Sequence, residues 1–225
     1  MHSVRYPHIV TFIGACMETG KYALVMEYMS LGSLYKILHK DKLPLDWSDR
    51  LSVALQTAKG INYLHKLQPP ILHRDIKSLN FLLERSYESL IVKVCDFGLA
   101  QTRDETTRQT QLTQALTCTL QWCAPEVLVL KKYADKSDVY SLGIVYWELA
   151  ANEIPYDGHQ NAVISAFVIR GDRLKIPKAT PSSFSALIKQ CWTADPNDRP
   201  NSSQLIELID KCIKKQSNLI FVALF

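Results

Sequence analysis

His73-Arg74-Asp75-Ile76-Lys77-Ser78-Leu79-Asn80 is the stretch on which the reading of this chain turns, together with Asp96-Phe97-Gly98 and Ala124-Pro125-Glu126 further along. Each is too short to argue alone, because a single Asp or Asn in a loop ordinarily caps a helix or forms a turn. Their surroundings say more. A β-type run, Ile91 to Cys95, leads into Asp96-Phe97-Gly98. A polar, threonine-rich segment from Gln101 to Thr119 then shows neither helical nor strand period. It is longer than the unstructured connections of compact domains, which predicts a functional loop. A helix is predicted again from Ser137, where Val139, Leu142, Gly143, Ile144, Val145, Tyr146, Trp147 and Leu149 are apolar nearly all round. Such a helix belongs at the centre of a core.

Working outward, Leu51, Ala54, Leu55, Ala58, Ile61 and Leu64 have the spacing of an amphipathic helix beginning at Asp46, with Gly60 as its weak spot. Nearer the front, Ile9 to Ile13 and Tyr22 to Met26 are β-rich runs around Met17-Glu18-Thr19-Gly20-Lys21, a predicted hairpin, and the pattern turns helical after Gly32-Ser33. Further amphipathic stretches are predicted around Ala162 to Ile169, Phe184 to Trp192 and Gln204 to Ile213. The predicted class is α+β, a small β portion on a large helical domain.

Bulk properties exclude more than they assign. The chain has 225 residues, 47% apolar and 21% charged, with 26 basic and 22 acidic residues for a net charge of +4. The basic residues are scattered, so no nucleic-acid partner is expected. Six cysteines without a C-x-x-C pair suggest neither a zinc site nor a disulfide framework, which fits a reducing compartment. The first residues lack a signal-peptide pattern, and the longest apolar run, Leu219 to Phe225, is too short to span a bilayer. A cytoplasmic protein is expected.

Taken in order, the three motifs resemble the catalytic loop, metal-binding loop and activation-segment end of eukaryotic-type protein kinases. The resemblance runs from about Arg5 to Ile213. It implies a protein-kinase-like fold: residues 1–29 as a remnant of the β-rich N-lobe ending in the hinge, 30–215 as the helical C-lobe, and 216–225 as an apolar tail without assigned role. Trp122 and the run Ser137-Asp138-Val139-Tyr140-Ser141-Leu142-Gly143 resemble the tyrosine-kinase-like group of serine/threonine kinases, which includes Raf and the mixed-lineage kinases.

The implied activity is transfer of the γ-phosphate of ATP to Ser/Thr hydroxyls of proteins, with Mg2+, in signalling. In that role Asp75 accepts the substrate hydroxyl's hydrogen, Asn80 and Asp96 hold magnesium, Lys77 steadies the transferring phosphoryl group and Thr119 seats the acceptor. Met26 is the implied gatekeeper, the backbones of Glu27 and Met29 pair with adenine, and Leu82 floors the pocket. Arg74 before the catalytic Asp implies control by activation-loop phosphorylation, hence upstream kinases as partners. The candidate sites are Thr106, Thr107, Thr110, Thr113 and Thr117, with Thr113 or Thr117 favoured. Glu126 and Arg199 correspond to a buried ion pair, and Asp138 to an anchor for the catalytic-loop backbone. One departure is Cys118, where the family commonly has Gly.

The resemblance begins in the middle of the family's pattern. The eight glycines are too dispersed for a G-x-G-x-x-G phosphate cover, and no Val-Ala-Ile-Lys-like strand precedes the hinge. The expectation is therefore a fragment of an active kinase. The alternatives are a truncated isoform or non-catalytic interaction module, or a chain completed by another polypeptide. The tail, Asn218 to Phe225, reads as a β-prone apolar window.

Overall fold

Asp46 starts the first long helix. In the computed structural model, which describes residues 5–87, 89–96, 101–102 and 119–223, its carboxylate accepts from the Asp49 N–H at 2.8 Å. That satisfies one of the N–H groups no helical carbonyl reaches, and helix α1 (Trp47–Lys66) begins there. Leu51, Ala54, Ala58, Ile61 and Leu64 are buried as their spacing requires, and α1 packs against strand β6 (Ser89–Val94) and the last helix, α6 (Ser202–Ala223).

Gly60 is required by that packing. A Cβ placed there would lie 2.5 Å from Val94 Cγ2 and 2.7 Å from the His8 carbonyl oxygen. Helix propensity alone would make Gly60→Ala stabilising by roughly 1 kcal/mol. Because a backbone oxygen cannot move aside as a side chain can, the expected result is the reverse, a loss of about 1–3 kcal/mol in urea unfolding.

Among the described residues, seven strands position the site. β1 (Phe12–Cys16) and β2 (Ala23–Met26) form the expected antiparallel hairpin. β3 (Gly32–Ser33), β5 (Phe81–Ser86) and β6 form an antiparallel sheet in the order β3-β5-β6. β4 (Ile71–Leu72) pairs with β7 (Gln101–Thr102). Strand β5 has no counterpart among the expected elements. Phe81 and Leu83 are buried while Leu82 and Glu84 are half-buried, the alternation of a strand that begins where a single 3-10 turn, Ser78–Asn80, ends. After Ser33 the helical expectation is met by one π-helical turn, Lys36–Lys40.

The core is built round α3 (Asp135–Ala151), in which every residue from Ser137 to Leu149 is buried. This helix packs against α1 and α5 (Ser182–Cys191), Ser137 joins it to Glu126 of α2 (Pro125–Leu128, with Pro at its first position), and α4 (Asn161–Ile169) packs in turn against α2. Two expectations change. The tail is helical as far as Ala223, where α6 ends; extending a helix already nucleated costs less than starting a strand with nothing to pair against. And Cys123 is disulfide-bonded, whereas Cys16, Cys95, Cys191 and Cys212 are free. Pairing depends on the Cα separation set by the fold, which sequence spacing does not report.

Candidate active site

Strand β4 delivers the chain to His73, and from there Asp138 on α3 anchors the backbone. Both oxygens of its fully buried carboxylate are used: Oδ2 accepts from the His73 N–H at 3.0 Å and from His65 Nε2 at 2.8 Å, and Oδ1 accepts from the Arg74 N–H at 3.0 Å and the Tyr133 hydroxyl at 2.5 Å. Burial by itself would raise the Asp138 pKa, but the donors led by His65 outweigh it and hold it below the ordinary value. Arg74 sits at φ +70, a left-handed conformation that costs a non-glycine residue about 1 kcal/mol or more. The paired N–H bonds to Asp138 supply the compensation. His73 accepts from the Asp75 N–H through Nδ1 at 3.3 Å, so its Nε2 carries the proton and donates to the Cys95 carbonyl at 3.0 Å.

Asp75, Lys77, Asn80 and Thr119 are drawn into one cluster. Lys77 Nζ lies 2.6 Å from Asp75 Oδ2 and donates to Thr119 Oγ1 at 3.0 Å, while that hydroxyl donates to Asp75 Oδ1 at 3.1 Å. The Asn80 amide nitrogen donates to the Asp75 carbonyl at 2.7 Å and to Asp75 Oδ2 at 3.1 Å. With its nitrogen committed, Asn80 Oδ1 makes no hydrogen bond among the described residues.

The sheet brings the backbone just before Asp96 alongside Asn80. The β5–β6 register pairs Phe81 with Val94, and the Cys95 N–H donates to the Asn80 carbonyl at 2.9 Å. Asp96 comes next, exposed and at φ +60. An amide oxygen and a carboxylate are hard donors suited to Mg2+, which typically keeps several waters and uses only one or two protein carboxylates. Among the described residues, no group of three or more His, Cys, Asp or Glu is placed to hold a metal. Cys95 adds no thiolate, since burial, aided by the Asp96 charge, pushes its pKa up to about 12.

At the proposed hinge, the Glu27 N–H donates to the Thr11 carbonyl and the Met29 carbonyl accepts from Gly32, each at 3.0 Å. Among the described residues that leaves the Glu27 carbonyl and the Met29 N–H without partners. The Glu27 carboxylate accepts from the Thr11 N–H at 2.5 Å and from Lys93 at 2.6 Å. Burial opposes its ionisation, yet Lys93 and Thr11 keep its pKa below the ordinary value. Met26 is 44% exposed and Leu82 half-buried on β5. The hinge is joined to the catalytic cluster through the sheet, where the Leu31 N–H donates to the Leu83 carbonyl at 3.0 Å. Thr106, Thr107, Thr110, Thr113, Thr117 and Cys118 lie outside the described residues.

Glu126 and Arg199 do meet. Two parallel bonds of 2.8 Å join the carboxylate to Nη1 and Nη2, and Ser137 adds a third donor at 2.7 Å. The remaining Arg199 donors reach the carbonyls of Thr193, Lys136 and Ala194. Burial would raise the Glu126 pKa, but Arg199 and Ser137 outweigh it and hold it below the ordinary 4.5. A depressed carboxylate stabilises fully above its unfolded value, and the contribution is lost as pH falls through the folded one. The stability gap between the native chain and Glu126→Gln is therefore expected to narrow on acidification below pH 4.5, as read by urea unfolding across that range.

Sequence reasoning missed a third buried carboxylate, beside those of Asp138 and Glu126. Glu148 on α3 accepts from Ser78 Oγ and Trp122 Nε1, each at 2.6 Å, and from His39 Nε2 at 3.0 Å. It ties the catalytic loop, the segment before Ala124-Pro125-Glu126 and the π-helical turn to one point. Burial is the larger influence here and raises its pKa despite the three donors. His65 and Tyr133, the other partners of Asp138, were missed as well. Nothing in their local sequence marks them.

Comparison with known proteins points the same way. A family model described as protein tyrosine and serine/threonine kinase matches residues 1–209. The chain is 41% identical over 217 residues to the serine/threonine-protein kinase CTR1 of Arabidopsis thaliana and 40% identical over 216 residues to STY17 of the same plant. It is 39% identical over 212 residues to the probable serine/threonine-protein kinase drkD of Dictyostelium discoideum. These matches cover 95%, 96% and 94% of this chain but 26%, 36% and 16% of the relatives, so the chain spans only a minor part of their length. Among the described residues, no helix is long and apolar enough to cross a membrane.

Proposed function

The chain belongs to the protein tyrosine and serine/threonine kinase family, in the serine/threonine class of its tyrosine-kinase-like group, and from this premise we propose that the protein carrying it transfers the γ-phosphate of ATP to serine and threonine hydroxyls of proteins. The observation that supports the reading best is the closed contact of Asp75, Lys77 and Thr119. Phosphoryl transfer asks little covalent chemistry of a protein and depends on positioning and charge. In this proposal Thr119 and Asp75 seat the acceptor hydroxyl, and Asp75 takes its proton. Lys77, already between them, places a positive charge where negative charge develops.

Bound Mg-ATP would supply the phosphoryl group with its charge partly neutralised by the metal. Asn80 Oδ1 and the Asp96 carboxylate would hold the cation. The Glu27 carbonyl and Met29 N–H, without partners among the described residues, would pair with the adenine edge, between Met26 and Leu82. Residues 1–29 would serve as N-lobe remnant and hinge, 30–215 as C-lobe, and 216–225, continuous with α6 as far as Ala223, as a tail. Arg74 would receive a phosphate placed by an upstream kinase on Thr113 or Thr117. Protein substrates, upstream kinases and a cytoplasmic site of action complete the proposal.

The test is transfer from γ-labelled ATP, with Mg2+, by the protein at its full natural length onto a general protein substrate, with subsequent phosphoamino-acid separation. Label on serine and threonine is the expected result. Label confined to tyrosine, or none, would reject it.

A further inference from the structure

Glu148 is fully buried on α3, and its two oxygens face different segments of the proposed active site. Oε1 accepts from Ser78 Oγ at 2.6 Å and from His39 Nε2 at 3.0 Å, and Oε2 accepts from Trp122 Nε1 at 2.6 Å. Ser78 and Trp122 are themselves buried. A helix that is otherwise apolar at its centre has no packing need for a carboxylate, and burying one is costly unless both oxygens are satisfied. An acceptor-only group engaged on both sides fixes the spacing of the donors it joins.

Ser78 carries that constraint into the catalytic loop. It opens the 3-10 turn Ser78–Asn80 directly after Lys77, and the Asn80 N–H donates to the Lys77 carbonyl at 2.9 Å. Pinning the Ser78 side chain therefore pins the turn that carries Lys77 and Asn80. Trp122 does the same for Thr119. Its N–H donates to the Thr119 carbonyl at 3.0 Å, and its own carbonyl accepts from Ser141 on α3 at 2.7 Å. A ring of contacts results, from Glu148 through Ser78 to Lys77, across the 3.0 Å bond from Lys77 Nζ to Thr119 Oγ1, and through Trp122 back to Glu148.

The two sides of this ring differ in what a substrate does to them. Asp75, Lys77 and Thr119 are partly exposed, and an acceptor hydroxyl entering between Thr119 and Asp75 has to open their 3.1 Å contact. The Glu148 side is closed to water and has no such competitor. We propose, on the reading that this site transfers phosphate, that Glu148 is a positioning residue for the reaction: through Ser78 and Trp122 it keeps Lys77 and Thr119 in register while the acceptor hydroxyl displaces the contacts between them. In this role it touches neither substrate nor metal. A misplacement of about 1 Å between reacting groups can cost on the order of 10²-fold in rate, which sets the size of the expected effect.

The experiment compares Glu148→Met, Glu148→Gln and Ser78→Ala in the full-length protein, with every rate normalised to the folded fraction measured by urea unfolding. Met removes all three links at similar side-chain length. Gln can keep them, because its oxygen can face the Trp122 N–H while Ser78 and His39, which can accept as well as donate, face its nitrogen. Ser78→Ala removes a single hydroxyl and decides the matter should Glu148→Met not fold. The expected result is a kcat lower by about 10²-fold in Glu148→Met and about tenfold in Ser78→Ala, with the KM for Mg-ATP unchanged and most of the rate kept in Glu148→Gln. Ser78→Ala should cost nothing further in the Glu148→Met background, since it acts through the same carboxylate. A second readout needs no transfer: amide hydrogen exchange in 77–80 and 119–123 should quicken in Glu148→Met while that of α1 stays slow. Native kcat in the folded fraction of Ser78→Ala or Glu148→Met, unchanged exchange in the two segments, or a Glu148→Gln as slow as Glu148→Met overturns the proposal. Absence of transfer by the native protein is a different outcome, which rejects the function proposed above and this role with it.

Discussion

Asp75→Asn is expected to lower phosphoryl transfer by about 10²–10⁴-fold, the range associated with loss of a positioned general base. The substitution keeps the shape of the side chain. An amide oxygen can still accept from Thr119 Oγ1, now at 3.1 Å, and the Asn80 amide keeps its 2.7 Å bond to the main-chain carbonyl of residue 75. What disappears is the charge opposite Lys77 Nζ and the capacity to take a proton. Because Asp75 is partly solvated and its neighbours retain partners, the cost in folding stability should stay within about 1 kcal/mol. Initial rates of label transfer by the full-length protein, measured beside urea unfolding, separate the two effects. Equal rates for variant and native protein would remove Asp75 from the chemistry, whereas a parallel collapse of stability would make its role structural.

Arg199→Met should be the most destabilising of these substitutions, by about 3–5 kcal/mol. Arg199 is 2% exposed and meets both oxygens of the buried Glu126 carboxylate at 2.8 Å. Its removal strands that charge and also leaves the Thr193, Lys136 and Ala194 carbonyls short of a donor. These losses share one side chain and will not sum. The discriminating comparison is Arg199→Met with Glu126→Leu. Taking out the orphaned carboxylate should return much of the loss, since a buried pair replaced by apolar residues is often near neutral. Chemical unfolding of the single and double variants measures this. A single-variant loss below about 1 kcal/mol would mean that the pair behaves like an exposed surface bridge.

Much of this molecule is legible without coordinates. Asp75, Asn80 and Asp96 stand in motifs whose order carries the assignment, and the helices α1 and α3 follow from apolar spacing and from Asp46 as a cap. Those are properties of neighbouring residues, and local patterning records them. The contact partners are another matter. Asp138 is legible as an anchor, but His65 and Tyr133, which share its carboxylate, are not. Glu148 reads as one more polar residue on an apolar helix until the fold brings it Ser78, Trp122 and His39 from separations of 70, 26 and 109 residues.

Sign reversals mark the same boundary. Gly60 reads as a flaw in α1 by propensity and becomes necessary once Val94 and the His8 carbonyl press on it. Residues 218–223 look β-prone in isolation but continue a helix that packing against α1 has already established. The chain's own order thus determined which side chains are proposed to carry chemistry and where most helices lie. Only tertiary structure decided which buried charges meet, which donors remain open, and whether a given backbone has room for one more carbon. Those outcomes depend on distances between segments remote in sequence, and no local period encodes them.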